Sequence, residues 1–113
     1  LHGEAVAIGC VLAFELSARL GFCSQEEPSR LRAHFAALGL VAEICDIAGP
    51  LPDADAMMGL MDQDKKVVDG TPRYVLAHRI GQAFVSDAVD PQAVKDLLSA
   101  AMSQPARRYF IFP

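Results

Sequence analysis

Several familiar signatures are missing from this chain of 113 residues, and each absence narrows its class. There is no CxxC pair and no HExxH motif, so two common zinc arrangements are excluded. Basic residues are in deficit: ten Lys and Arg against fourteen Asp and Glu give a net charge of -4. That balance argues against a nucleic-acid-binding surface. No block of like charge indicates a membrane-binding patch.

Long apolar runs and cysteines are also scarce. The longest apolar stretch, residues 5–14, ends at Glu15 and is shorter than the roughly 20 residues that a transmembrane helix needs. No charged leader or cleavage site marks a signal peptide. The three cysteines, Cys10, Cys23 and Cys45, are odd in number, so we expect reduced, buried thiols rather than disulfides.

The whole chain is 52% hydrophobic and 21% charged, and this composition is enough to bury the core of one domain. The chain does not begin with Met, and its strongest candidate ligand is His2. We therefore expect the carboxy-terminal part of a longer protein. The predicted fold class is mainly α: a multihelical domain with one small β-hairpin.

Cap residues and apolar spacing predict four helices. The first, residues 4–20, is apolar nearly all round, which is typical of a helix buried on most sides. Within it, Gly9 marks either a close approach by another backbone or ligand, or tolerated packing. Ser24 and Glu27 have the spacing of a capping box for the second helix. Aspartates at the predicted N-caps, Asp53 and Asp90, open the other two.

One hairpin is predicted between the third and fourth helices. Residues 73–77 and 82–86 read as strands joined by a turn over residues 78–81. Tyr74 and Leu76 would share one face of it. Residues 40–52, which contain Gly-Pro, are predicted to be an irregular connector.

Two places carry candidate chemistry, and each has a plain structural alternative. His2, with Glu4 two residues on, is either a metal ligand or a helix-start histidine beside an acidic residue that suits the helix dipole. Lys65 and Lys66 follow two nearby aspartates. They either bind an anion in a cleft or form a solvated, self-paired helix end. The apolar, aromatic tail, residues 105–113, is expected to pack on this domain, on a missing part or on a second copy.

Three stretches together resemble the 3-dehydroquinate synthase family. They are LHGEAVAIG at residues 1–9, DKKVVDG at residues 64–70, and RYVL with the following IG at residues 73–81. Their order is that of the family, and so is the spacing of about sixty residues between the first two. The first motif alone is shared with polyol dehydrogenases. The second and third motifs narrow the resemblance to the 3-dehydroquinate synthase family.

The resemblance implies a two-domain enzyme with its active site in the cleft between the domains. An amino-terminal α/β domain binds NAD, and residues 1–104 would be the later part of a helical carboxy-terminal domain. His2 would be one ligand of Zn²⁺ (or Co²⁺), with the other two ligands upstream of this sequence. At least one of Lys65 and Lys66 would contact the anionic groups of the substrate. A cytoplasmic homodimer is implied for the whole enzyme.

The implied activity is that of a phosphorus–oxygen lyase of the shikimate pathway. It converts 3-deoxy-D-arabino-heptulosonate 7-phosphate to 3-dehydroquinate and phosphate, with zinc as Lewis acid and NAD as hydride carrier. The chain by itself is expected to be inactive. Alternatives are another sugar-phosphate cyclase or a polyol dehydrogenase of the same superfamily. A third is a non-catalytic helical interaction domain, in which His2 is a frayed terminus.

Overall fold

The computed structural model describes residues 2–46, 52–60 and 72–103, and of His2 the backbone alone. Over these ranges the chain is mainly helical with one two-stranded antiparallel sheet, so the predicted fold class is confirmed. The helices are α1 (His2–Arg19), α2 (Glu26–Ala37), α3 (residues 54–60) and α4 (Pro91–Met102), with a 3-10 turn at Ile44–Asp46. The strands are β1 (Tyr74–Arg79) and β2 (Gln82–Ser86). The tail, residues 105–113, lies outside the described residues.

The long helix α1 runs between two separate apolar clusters. On one side Ala7 and Val11 pack with Ala42, and two partly buried residues of α2 close this cluster. The other side meets the larger cluster, whose buried members are Leu16, Ala54, Leu76, Val94, Leu97 and Leu98. Because successive helical residues are about 100° apart, Val11 and Leu16 lie on opposite faces of α1. The apolar residues of α1 are therefore buried on two of its sides.

Ser17 joins α1 to the hairpin. Its side chain is fully buried, and its Oγ donates a hydrogen bond to the carbonyl of Ala13 at 2.7 Å. The same Oγ accepts a hydrogen bond from the backbone N–H of Ala77, in β1, at 2.9 Å. A buried N–H at the edge of a sheet is costly without a partner, and the serine hydroxyl supplies it.

The hairpin turn is tighter than the sequence predicted. Strand β1 extends through His78 and Arg79, so only Ile80 and Gly81 remain in the turn, and the predicted turn over residues 78–81 is wrong in its first half. Gly81 has φ of 92°, a conformation that glycine adopts without strain. The pairing register shifts at His78, as in a β-bulge.

The second helix exists, but its predicted capping box is wrong. Gln25, not Ser24, precedes the helix, and it makes no side-chain cap. Its Nε2 instead donates to Oε1 of Glu15 at 2.6 Å. Glu27, which would complete the box, accepts the backbone N–H of Ile80 at 2.7 Å. A hydrogen-bond partner that is distant in sequence thus binds the side chain that a local capping motif would use.

The caps predicted for α3 and α4 are confirmed. Asp53 accepts the N–H of Ala56 at 2.8 Å, and Asp90 accepts the N–H of Gln92 at 2.9 Å. Each bond satisfies one of the four N–H groups that a helix leaves unpaired at its start. None of the helices in the described ranges is long and apolar enough to cross a bilayer.

The three cysteines are free thiols, but the prediction that they are buried is wrong. Cys10 is exposed on α1, whereas Cys23 and Cys45 are half-buried. Burial raises the pKa of the Cys23 thiol above its ordinary value, and the nearby carboxylates of Glu27 and Glu15 raise it further.

We expect Ser17→Ala to lower the free energy of unfolding by about 1–3 kcal/mol, because the N–H of Ala77 stays buried and loses its acceptor. Urea unfolding measures the change. The control is Ser99→Ala, an exposed serine on α4, for which a change within about 0.5 kcal/mol is expected. Equal effects at the two serines would contradict the importance of the buried bond.

Candidate functional site

The three predicted site residues fall in two parts of the sequence. His2 is the first residue of α1, and Lys65 and Lys66 precede β1, which starts at Tyr74. The side chain of His2 and both lysines lie outside the described residues. Their roles therefore stay predictions, and only the elements next to them can be compared.

No metal centre is formed by the described residues on their own. Among them, no group of three His, Cys, Asp or Glu side chains is arranged to hold a metal ion. A catalytic zinc site uses three protein ligands and an open position. Because the side chain of His2 is not among the described residues, a zinc site that includes it stays a prediction.

The hairpin that follows the two lysines is firmly attached to the helices. Apart from the Ser17 and Glu27 bonds to its backbone, three rings pack where it meets the end of α1. His78 stacks on Phe84 with ring centroids 4.4 Å apart, and Phe22 meets Phe84 edge-on at 5.0 Å. His78 Nδ1 lies 3.3 Å from the carbonyl oxygen of Phe22. These contacts give His78 a structural role in holding the hairpin.

An apolar groove of about 390 Å³ lies between α1, α4 and β1. Gly9 and Ala13 form part of its wall on α1, and Leu97 and Leu98 form part of it on α4. Arg73 is the one charged residue among the described residues that line it. To a substrate with anionic groups the described lining offers the guanidinium of Arg73 and the hydroxyl of Tyr74, and it is otherwise apolar.

A second cleft, of about 230 Å³, contains charged residues that the sequence analysis did not single out. Its charged lining residues are Glu15, Arg19, Arg32 and Glu43. The Arg32 guanidinium donates to Glu15 at 2.8 Å through Nη1 and to Glu43 through Nε. This triad joins α1, α2 and the connector that follows α2.

The four charged residues that line the cleft in the described ranges balance one another, two arginines against two glutamates, and the triad by itself carries one net negative charge. Burial by itself would lower the pKa of Arg32, but hydrogen bonds and attraction from Glu15 and Glu43 outweigh it and raise that pKa above its ordinary value. Arg32 is therefore a fixed cation already engaged by two carboxylates, and its role is to hold elements together. The sequence did contain a signal: Glu15 is the one charged residue between Ala5 and Ala18, and a part-buried carboxylate needs a partner.

We expect Arg32→Met to lower the free energy of unfolding by about 1–3 kcal/mol, because two part-buried carboxylates lose their shared cation. Thermal and urea unfolding measure the change. Arg30→Met is the matched control: Arg30 is 66% exposed, its pair with Glu27 spans 3.5 Å, and a change below about 0.5 kcal/mol is expected. An unchanged free energy of unfolding in Arg32→Met would show that the triad contributes nothing to stability.

Comparison with known proteins identifies the family. A family model described as the carboxy-terminal part of 3-dehydroquinate synthase matches residues 1–67. A protein of Paracoccus denitrificans named 3-dehydroquinate synthase is 65% identical over 99 residues, which is 88% of this chain. Proteins of the same name from Jannaschia and from Cereibacter sphaeroides are 63% and 61% identical over 91% and 92% of the chain.

The chain spans 27–28% of the length of these three relatives. What it shares with them is therefore one part of a longer protein. Within that part the likeness is close, and the family model covers 67 of the 113 residues. The resemblance that the three motifs indicated is confirmed: this chain belongs to the 3-dehydroquinate synthase family.

Proposed function

We propose that this chain is the carboxy-terminal part of an enzyme that converts 3-deoxy-D-arabino-heptulosonate 7-phosphate to 3-dehydroquinate and phosphate. The observation that carries the proposal is 61–65% identity to proteins named 3-dehydroquinate synthase over about nine-tenths of the chain. The enzyme would be a phosphorus–oxygen lyase of the shikimate pathway, active in the cytoplasm as a homodimer. Residues 1–104 would form the later part of its helical domain.

His2 is proposed as one of three ligands of a zinc ion. In support, α1 begins at His2 and the same helix is buried between two apolar clusters, so its axis is held by packing. The other ligands would come from a part of the longer protein that this chain does not include. Bound zinc supplies Lewis-acid polarisation of a substrate hydroxyl. The task of His2 is to hold one coordination position in a fixed direction.

Lys65 and Lys66 are proposed to bind anionic groups of the substrate. In support, the hairpin that follows them is anchored at Ala77 in β1 and at Ile80 in the turn, so the lysines precede a fixed element. An ammonium group near a phosphate or carboxylate forms charge-assisted hydrogen bonds and sets the orientation of the substrate. NAD would be bound mainly by an amino-terminal domain of the longer protein, which leaves the chain itself inactive.

We expect His2→Ala, made in the full-length protein that contains this chain, to lower kcat/KM by about 10³-fold or more, because the metal loses a ligand. Phosphate release from the heptulosonate phosphate, with zinc content measured on the same sample, checks this. His34→Ala is the control, since His34 is exposed on α2, and full activity is expected. Full activity and full zinc content in His2→Ala would make His2 a plain helix-start residue. A folded, zinc-loaded wild type without activity would favour another cyclase or a dehydrogenase.

We expect at least one of Lys65→Ala and Lys66→Ala to lower kcat/KM by about 10- to 150-fold, because a hydrogen bond from a charged group to the substrate contributes about 1.5–3 kcal/mol. Steady-state kinetics with varied substrate measures the loss. Lys95→Ala is the matched control: this lysine pairs with Asp55 at 2.7 Å and joins α4 to α3. If both lysine variants are fully active, a solvated helix end is the better interpretation of Lys65 and Lys66.

A further inference from the structure

The cleft that contains the charged triad also holds a cation that the triad leaves unused. Arg19 lines this cleft four residues after Glu15 on α1. Residues with that spacing lie on the same face of a helix, about 6 Å apart along its axis, and a glutamate and an arginine so placed commonly pair. Here Glu15 binds Gln25 and Arg32 instead. Within the described ranges, Arg19 is exposed and has no hydrogen bond or ion pair.

The two carboxylates of the triad each keep one oxygen free. Arg32 donates to Oε1 of Glu15 and to Oε1 of Glu43, and Gln25 also donates to Oε1 of Glu15. Neither Oε2 atom has a hydrogen-bond partner in the described part of the chain. Because no buried side-chain oxygen or nitrogen in that part lacks a partner, both Oε2 atoms are in contact with solvent. The cleft therefore offers two acceptors and one cation that a ligand can reach.

The rest of the described lining is apolar and sets the size of a ligand. It consists of Leu12 on α1 and of Leu97, Ala100 and Ala101 on α4. The volume of about 230 Å³ equals that of about eight water molecules in the liquid, so a ligand that fills it has roughly ten non-hydrogen atoms. Sites for drug-sized ligands are larger, about 300–1,000 Å³. The cleft thus fits a small molecule with one apolar group.

We propose that this cleft binds a zwitterion of that size, an α-amino acid with an apolar side chain. Its ammonium group donates to Oε2 of Glu15 and of Glu43, and its carboxylate accepts from the guanidinium of Arg19. Its side chain lies against the leucine and alanine side chains of the lining. An α-amino acid carries its two charges on neighbouring atoms, so it can bridge Glu15 and Arg19 across one helical turn, with a charge-assisted hydrogen bond of about 2.8 Å at each end.

The charges of the cleft disfavour simpler ligands. A lone carboxylate or phosphate is repelled by Glu15 and Glu43, and a lone amine is repelled by Arg19. An apolar molecule would remove water from all three groups without replacing their hydrogen bonds. Because Arg32 already holds both carboxylates in place, little further ordering is needed on binding. This inference goes beyond the proposed function and uses none of the residues assigned to metal or substrate binding.

Calorimetric titration of the full-length protein with L-leucine, L-methionine and L-phenylalanine tests the proposal. We expect at least one of them to bind with a Kd of about 0.1–1 mM. For the tightest of the three, the decarboxylated amine and the deaminated acid are controls that keep the same side chain. Each control is expected to bind at least about 10-fold more weakly, because one charged contact is lost. The proposal is overturned if every Kd exceeds about 10 mM, or if either control binds as tightly as the amino acid.

Arg19→Met in the full-length protein tests the position of the ligand. We expect a 10- to 150-fold weaker affinity, roughly the effect of losing one charge-assisted hydrogen bond, with the Tm unchanged to within about 1 °C. The decarboxylated amine should bind this variant at least as tightly as the wild type, since it makes no contact with Arg19. Arg30→Met on α2 is the matched control, because Arg30 is 66% exposed and does not line the cleft. An amino acid that binds Arg19→Met as tightly as the wild type occupies another site, and this result would overturn the proposal.

Discussion

The hydroxyl of Ser17 is the contact on which the arrangement of helix and hairpin depends. A two-stranded hairpin is marginal alone, and this one has a buried N–H at Ala77 on the edge that faces α1. The hydroxyl accepts from that N–H and donates to Ala13 within its own helix, so no polar atom of the contact is left unpaired. Leu76 can then be buried against Leu16 in the common cluster. The hairpin therefore takes its position from the helix.

The sequence predicted most of the elements because their signals are local. The spacing of apolar residues predicted α1 and α4. The aspartate caps of α3 and α4 could be predicted because each involves residues within one helical turn. The errors arose where the partner is distant in sequence. Glu27 was assigned to a capping box but binds Ile80, fifty-three residues away, and the turn is shorter because His78 stays in the strand. Local spacing holds no information about such partners.

What the sequence predicts about the candidate site comes from motifs rather than from local structure. The motifs at residues 1–9, 64–70 and 73–81 indicated the family, and the comparisons confirm it. They could not indicate the charged triad, since Arg32 finds Glu15 and Glu43 at separations of seventeen and eleven residues that match no motif. Nor could composition predict that Cys10 is exposed, because exposure depends on which face of an apolar helix the rest of the fold covers.

The uneven cover of α1 bears directly on the proposed metal ligand. The first residue of a helix is prone to fray, whereas a ligand must be held to within about 0.5 Å of its working position. In the described part of the chain, the first two turns of α1 are packed on one side only, through Ala7 and Ile8. The proposed zinc ion would then hold the first turn of α1 in place as well as being held by it, because metal binding and local folding are coupled.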